Sequence, residues 1–362
     1  MFRNPYQVFR DLILQYYLPV CITFVSGLCI VITKDWHGKH SFDTHVGIQK
    51  FHHVPTPRIG GIALLLGLIT AWAVAPQESS GLFGKMLVAG IPAFAAGMVE
   101  DFTKRVGVRE RLLATMLSGL VAFFLTGYTL NGIEVAGFDS LLSILPISVA
   151  FTAFAVSGVA NSINIIDGFN GLAGGILIVC FSAFGLISLM VGDSSLGIIC
   201  TLIIMVLAGF MLINFPFGKI FMGDGGAYLM GFLLAWVAVM LPMRNPGISK
   251  WASVLVCGYP LIETVFSMAR RAWSKADPGQ PDSEHLHSLI KVNIVRRYFP
   301  ELPQNLRNAM VSPFCWTFAM LLSFVAVKYY DDKLILMIGV LIGLIVYASL
   351  HGILLRMQKS NT

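Results

Sequence analysis

Long apolar runs constrain this chain more than anything else in it, at about 12 to 33, 59 to 75, 82 to 99, 111 to 130, 141 to 160, 171 to 191, 196 to 213, 226 to 241, 251 to 268, 314 to 327 and 334 to 355. Runs of this kind read as helices that cross a bilayer. Those shorter than the roughly 20 residues of a straight crossing must extend into neighbouring loops or be buried in protein. With 56% of residues hydrophobic and 12% charged, the balance is not that of a water-facing surface. The expectation is an all-α, polytopic integral membrane protein with about eleven transmembrane helices.

Arg3 and Arg10 precede the first run, which has no small-residue cleavage site before Lys34 and therefore reads as a retained helix. No repeat of fixed period is visible, and the one sizeable polar segment, about 269 to 313, is rich in Pro, Arg and His. Residues 1–362 are expected to form a single membrane-embedded domain with that segment as a large cytoplasmic loop. Alternating the loops between two sides gathers most of the 25 lysines and arginines on one of them. The positive-inside rule then places the N-terminus in the periplasm and the C-terminus in the cytoplasm. The net charge of +6 is mostly this topology signal and no argument for nucleic acid.

The same alternation brings five stretches to the cytoplasmic face: HHVPTPRIGG (52 to 61), VEDFTKRVGVRER (99 to 111), NSINIIDGFNG (161 to 171), INFPFGKIFMGDGG (213 to 226) and DSEHLHSLIKVNIVRR (282 to 297). The outward loops are short and carry no comparable cluster. Asn161, Asn164, Asp167 and Asn170 recur every third residue, nearly one helical turn, so they can share a face too polar for lipid. Facing a water-filled cavity, such a face offers oxygens to a cation or a phosphate, and the neighbouring glycines leave room for a ligand. The plainer alternative is a set of capping asparagines beside a glycine packing seam.

Asp224, a lone carboxylate between glycines, reads either as a helix cap or as a magnesium ligand, because Mg2+ takes one or two carboxylates plus phosphate oxygens and water. Glu100 and Asp101 are adjacent on a helix and diverge by about 100 degrees, so they have different tasks. Salt bridges to Lys104 and Arg105 are their plainer reading. Lys50 and Arg58 flank a proline-stiffened loop and can clamp a phosphate, although inward charge bias alone also puts cations there. His285 and His287 point apart if helical and together if extended. With no third ligand nearby, phosphate or sugar binding is a better reading for them than zinc. The six cysteines lie in or beside apolar runs without CxxC spacing and read as small buried residues.

PTPRIGG, the acidic pair followed by basic residues, NxxNxxDGxxGLAGG, FMGDGG and HLH, in that order, resemble the polyprenyl-phosphate N-acetylhexosamine-1-phosphate transferases, glycosyltransferase family 4. The likeness runs from about Asp43 to Arg297, and HLH with the eleventh helix is most similar to the branch that initiates O-antigen and common-antigen synthesis. It implies a multi-pass enzyme of the bacterial inner membrane, active on the cytoplasmic face. The implied reaction moves an N-acetylated amino sugar 1-phosphate from a UDP-sugar to undecaprenyl phosphate and releases UMP. Mg2+ is the implied cofactor, with Mn2+ as its substitute, and a homodimer is an admissible assembly.

Residue by residue, the resemblance assigns Asp224 to the metal, with Asp167 as second ligand or catalytic organiser of phosphate. Asp101, Glu100 and Lys50 join the catalytic groups, one of the acidic pair as base for the lipid phosphate. Asn161, Asn164, Asn170, Phe221, Arg58, His285 and His287 fall around the donor, Phe221 against uracil. Three positions depart from the family pattern: Glu100 and Asn170, where aspartate is usual, and Ser283, where enzymes using UDP-GlcNAc often have arginine. Those departures slightly favour a modified donor such as a 6-deoxy 2-acetamido sugar. A transporter with a broken-helix ion site is the rival class. The crowding of every motif onto one face argues against it, and it leaves only Glu263 and His351 as midplane polar groups.

Overall fold

A computed structural model describes residues 17–41, 56–273 and 284–359, so Lys50 and Ser283 lie outside the described residues. Within the described residues every apolar run is carried by a helix. The long ones are α1 (Leu18–Ile32), α2 (Gly60–Val74), α3 (Gln77–Thr103), α4 (Val108–Thr126), α5 (Leu145–Ile166), α6 (Leu172–Met190), α7 (Ser194–Asn214), α8 (Gly223–Arg244), α9 (Lys250–Val256), α10 (Gly258–Trp273), α11 (Val311–Lys328) and α12 (Lys333–Lys359). No strand occurs among the described residues. Among the described residues seven helices are long and apolar enough to cross a membrane, and the pair α9 and α10, bent by 77°, makes an eighth if it is one span. α1 and α2 are apolar but 15 residues each, and α4 opens on the charged run VRER. A count of eleven crossings and the direction of the termini therefore go beyond what length and composition give.

α8 is the axis of the bundle. Every residue from Gly223 to Pro242 is buried, and a helix enclosed on all sides belongs in the middle. It packs along α3 and α5 and touches α2 and α6. Small residues bring these helices close: a Cβ on Gly97 of α3 would stand 2.5 Å from the Asp224 carbonyl carbon, and one on Gly231 would stand 2.7 Å from Ala160 Cα of α5. α4 closes against α3 and α5, α7 against α6 and α1, and α11 against α6. α12 lies outermost and exposes Leu334, Leu341, Ile342, Ile345 and Ile353, a face suited to lipid.

Part of the predicted large loop is folded. Leu286–Ile290, a π-helical turn at Lys291–Val295 and Gln304–Ala309 are short helices, and His351 of α12 pins their start by donating from Nε2 to the Glu284 carbonyl at 2.8 Å. Labelling tests the orientation of the whole bundle. With the exposed Cys21 and Cys29 replaced by serine, single cysteines at Lys104, Lys219 and Arg297 are expected to react from the cytoplasmic side. Those at Asn131 and Gly247 are expected to react from the periplasmic side. Outward labelling at position 297 overturns the orientation.

Candidate active site

The motifs meet where the C-terminal ends of α3 and α5 come against the N-terminal ends of α2, α4 and α8. The chain before α2 runs beside the chain before α8: Phe221 N–H donates to the Pro57 carbonyl at 2.9 Å, Gly60 N–H to the Phe221 carbonyl at 3.0 Å and Gly61 N–H to the Met222 carbonyl at 2.9 Å. This pairing brings half-buried Phe221 and Arg58 to the mouth of α8. Gly223 makes the turn with φ 70, a left-handed conformation, and any Cβ there would collide with the Arg58 carbonyl.

Asp224, in the first turn of α8 and 3% exposed, is the centre of the cluster. Its Oδ1 accepts from Arg58 Nη2 at 3.1 Å and from Asn164 Nδ2 at 3.1 Å, and its Oδ2 accepts from Arg111 Nη1. The Arg111 guanidinium also lies over the Tyr228 ring, 5.7 Å from its centroid, and the Tyr228 hydroxyl donates to Asn161 Oδ1 at 3.0 Å. Asn161 thus supports Arg111 from one turn deeper in α5. Arg111 was missed by sequence reasoning, which counted it as inward charge bias. The available signal was a basic residue opening the helix that follows the acidic pair.

Asp101 is fully buried, and both its oxygens are used on α8: Oδ1 accepts from Asp224 N–H and Oδ2 from Gly225 N–H, each at 2.9 Å. The first turn of a helix has N–H groups without partners, and Asp101 of α3 satisfies two of them from outside the helix. Glu100 turns the other way and accepts from Val106 N–H at 2.8 Å, closing the turn between α3 and α4. Lys104 Nζ donates to the Asp101 main-chain carbonyl at 2.7 Å, and among the described residues no side-chain ion pair joins Glu100 or Asp101 to Lys104 or Arg105.

The shared face of four polar residues ends at the third. α5 stops at Ile166 and Asp167 is its C-cap, so Asn170 leaves the helical register. It is buried and its Nδ2 donates to the Pro216 carbonyl at 2.8 Å and the Asn305 carbonyl at 3.1 Å, holding loops rather than facing Asp224. Burial pushes the Asp167 carboxyl up to about 7 against the nearby Arg58 charge, with the Asp101 charge adding to the rise. Phe169, two residues on, meets the His287 ring edge-on at 5.3 Å. The Lys291 ammonium lies 5.3 Å from the Phe169 centroid and donates to Asn308 Oδ1. Burial and the charges of Arg296 and Arg307 push that amine down to about 6. The backbone at His285 is extended (ψ 146), and the His285 and His287 rings lie parallel with centroids 5.1 Å apart, which settles their geometry as convergent.

Two guanidinium groups and hard oxygen donors at one end of a bundle can hold anionic phosphates beside a cation. The glycosyl transferase family 4 model matches residues 83–242 of the chain, which include Glu100, Asp101, Arg111, Asn161, Asn164, Asp167 and Asp224. An undecaprenyl-phosphate alpha-N-acetylglucosaminyl 1-phosphate transferase of Yersinia pestis is 28% identical over 247 residues, 67% of each chain, and that of Escherichia coli K12 is 27% identical over the same share. A phospho-N-acetylmuramoyl-pentapeptide-transferase of Staphylococcus carnosus is 26% identical over 200 residues, 51% of this chain and 62% of that one. Residues 83–242, which carry the acidic pair, the NxxNxxDG stretch and FMGDGG, match glycosyl transferase family 4, and the chain is similar to transferases that act with undecaprenyl phosphate and to a phospho-N-acetylmuramoyl-pentapeptide-transferase.

Proposed function

We propose that this protein transfers an N-acetylated amino sugar 1-phosphate from a UDP-sugar to undecaprenyl phosphate at the cytoplasmic face of a bacterial inner membrane, releasing UMP and starting a lipid-linked surface glycan of the O-antigen type. The observation that carries the reading is Asp224 held between Arg58 and Arg111 where five helix ends meet. In the reaction, a phosphate oxygen of the lipid forms a bond to the β-phosphorus of the donor. The bond from that phosphorus to the bridging oxygen breaks, and UMP leaves with the electron pair. Little covalent chemistry falls to the protein, so positioning and charge neutralisation dominate. Arg58 and Arg111 supply positive charge at this point. The lipid phosphate, with a second pKa near 6, is largely ionised at neutral pH and needs only a modest base.

The donor set fits magnesium. Asp224 and Asp167 bring hard carboxylate oxygens, and desolvated Asp167 gains from a nearby cation. Among the described residues no group of three His, Cys, Asp or Glu side chains is placed to hold a metal ion, and an ion at Asp224 and Asp167 would need phosphate oxygens and water as well, which suits Mg2+. When bound, the ion supplies Lewis-acid stabilisation of the charge that moves onto the leaving phosphate. The two arginines, now on Asp224, are the groups then placed to meet the diphosphate.

The case for a 6-deoxy donor weakens on this geometry. Glu100 is spent on Val106 N–H and Asn170 on main-chain carbonyls, so neither departure faces a sugar. Purified protein in lipid, given undecaprenyl phosphate and a panel of UDP-sugars, is expected to form UMP and lipid-linked product with N-acetylated donors. EDTA is expected to stop the reaction, and Mg2+ or Mn2+ to restore it. Faster transfer from UDP-glucose or UDP-galactose overturns the donor class, and UMP release without lipid points to a hydrolase instead.

A further inference from the structure

Glu263 lies in α10, just past the 77° bend, and is fully buried. Its Oε1 accepts from His285 Nδ1 at 2.9 Å and from Leu286 N–H at 3.3 Å, and its Oε2 stands 3.7 Å from His287 Nδ1. The two imidazoles are parallel within 13°. One carboxylate therefore faces the Nδ1 atoms of both histidines, and since the two nitrogens of an imidazole diverge, both Nε2 atoms are turned away from it.

A buried carboxylate is unfavourable without a cationic partner. The ionisable groups around it are Tyr259 of its own helix, Cys315 of α11, Tyr347 of α12 and the two imidazoles. Of these, the imidazoles are the ones able to carry positive charge. His351 and Arg270 hold the same segment independently, at Glu284. The His287 ring touches Phe169, two residues from Asp167, so the pair borders the transferase cluster.

We propose that Glu263 is a positioning residue for the donor. Its negative charge holds both rings parallel with Nδ1–H turned toward the carboxylate and favours a second proton on each ring, so that the two Nε2–H groups together donate to the anionic diphosphate of the UDP-sugar. The inference rests on the uridine-diphosphate reading above.

Full-length protein in lipid is assayed with undecaprenyl phosphate and UDP-N-acetylglucosamine, and UDP binding is measured by calorimetry. Glu263→Gln is expected to raise the donor KM and the UDP Kd by about tenfold or more, with the lipid KM unchanged and kcat altered much less. Glu263→Asp recovers part of the loss. In a His285→Ala/His287→Ala background Glu263→Gln adds nothing further, because its effect passes through the rings. A donor KM at the wild-type value in folded Glu263→Gln overturns the inference, as does an equal loss in the histidine-free background.

Should Glu263→Gln fail to fold, His285 supplies a second arm. Gln places its amide near the Nε2 position and Asn near Nδ1, so His285→Gln is expected to keep donor affinity better than His285→Asn. The reverse order overturns the proposal. A wild type that uses no UDP-sugar at all overturns the underlying reading, a result distinct from wild-type transfer with Glu263→Gln unaffected.

Discussion

Asp224→Asn is expected to abolish sugar-phosphate transfer while the helical bundle still forms. Asp224 accepts from Arg58, Asn164 and Arg111 at once, so its charge fixes where two guanidinium groups sit. An amide in its place keeps one oxygen and turns an NH2 toward a guanidinium, donor against donor. It also removes the carboxylate proposed to hold the metal. Loss of electrostatic organisation at the point where charge moves costs about a thousandfold or more in turnover. The stability cost is smaller, because the Arg58 side chain is 29% and the Arg111 side chain 13% exposed and both retain some water. About 2 kcal/mol is the expected scale. Rates of UMP formation beside thermal unfolding in the same detergent decide it. Turnover above a tenth of wild type in folded Asp224→Asn would falsify a central role for this carboxylate.

The sequence made much of this legible and hid a definable remainder. Apolar runs located the helices because lipid leaves the backbone few other ways to satisfy itself. Loop alternation put the five motif stretches on one face, and the contacts among Arg58, Asp101, Asn164 and Asp224 join four of them. The period of three in Asn161, Asn164 and Asp167 was read correctly as one helical edge, but nothing local announced that α5 stops at Ile166, so Asn170 was given a place it does not occupy. Partnerships across the chain were harder. Arg111 reaches Asp224 across 113 residues, and Glu263 reaches His285 across a 22-residue separation that includes a segment outside the described residues. Such pairs depend on how helices are packed, which periodicity cannot report. Charge counting also conceals function: a lysine or arginine that sets topology and one that binds phosphate look the same until the helix ends are brought together.

Asp101→Asn is expected to weaken the fold and the reaction together, and that coupling separates two roles for the residue. As a base for the lipid phosphate, Asp101 would lose turnover on substitution and leave stability alone. The geometry gives it a further task, because each oxygen accepts one N–H from the first turn of α8, from Asp224 and from Gly225. Asparagine keeps one acceptor and sets an NH2 about a hydrogen-bond length from the other N–H. In a site that is 0% exposed, no water relieves that clash, and the positive end of the α8 dipole loses its carboxylate. A loss on the order of 2–4 kcal/mol follows. Transfer falls as well, since the displaced turn carries Asp224. Glu100→Gln keeps an oxygen for Val106 N–H on a partly exposed turn and is expected to show no comparable fall in stability. Thermal unfolding and turnover of both variants, measured on the same preparations, read the difference. If Asp101→Asn unfolds at the wild-type temperature with turnover gone, the carboxylate acts in the reaction itself and the cap on α8 is dispensable.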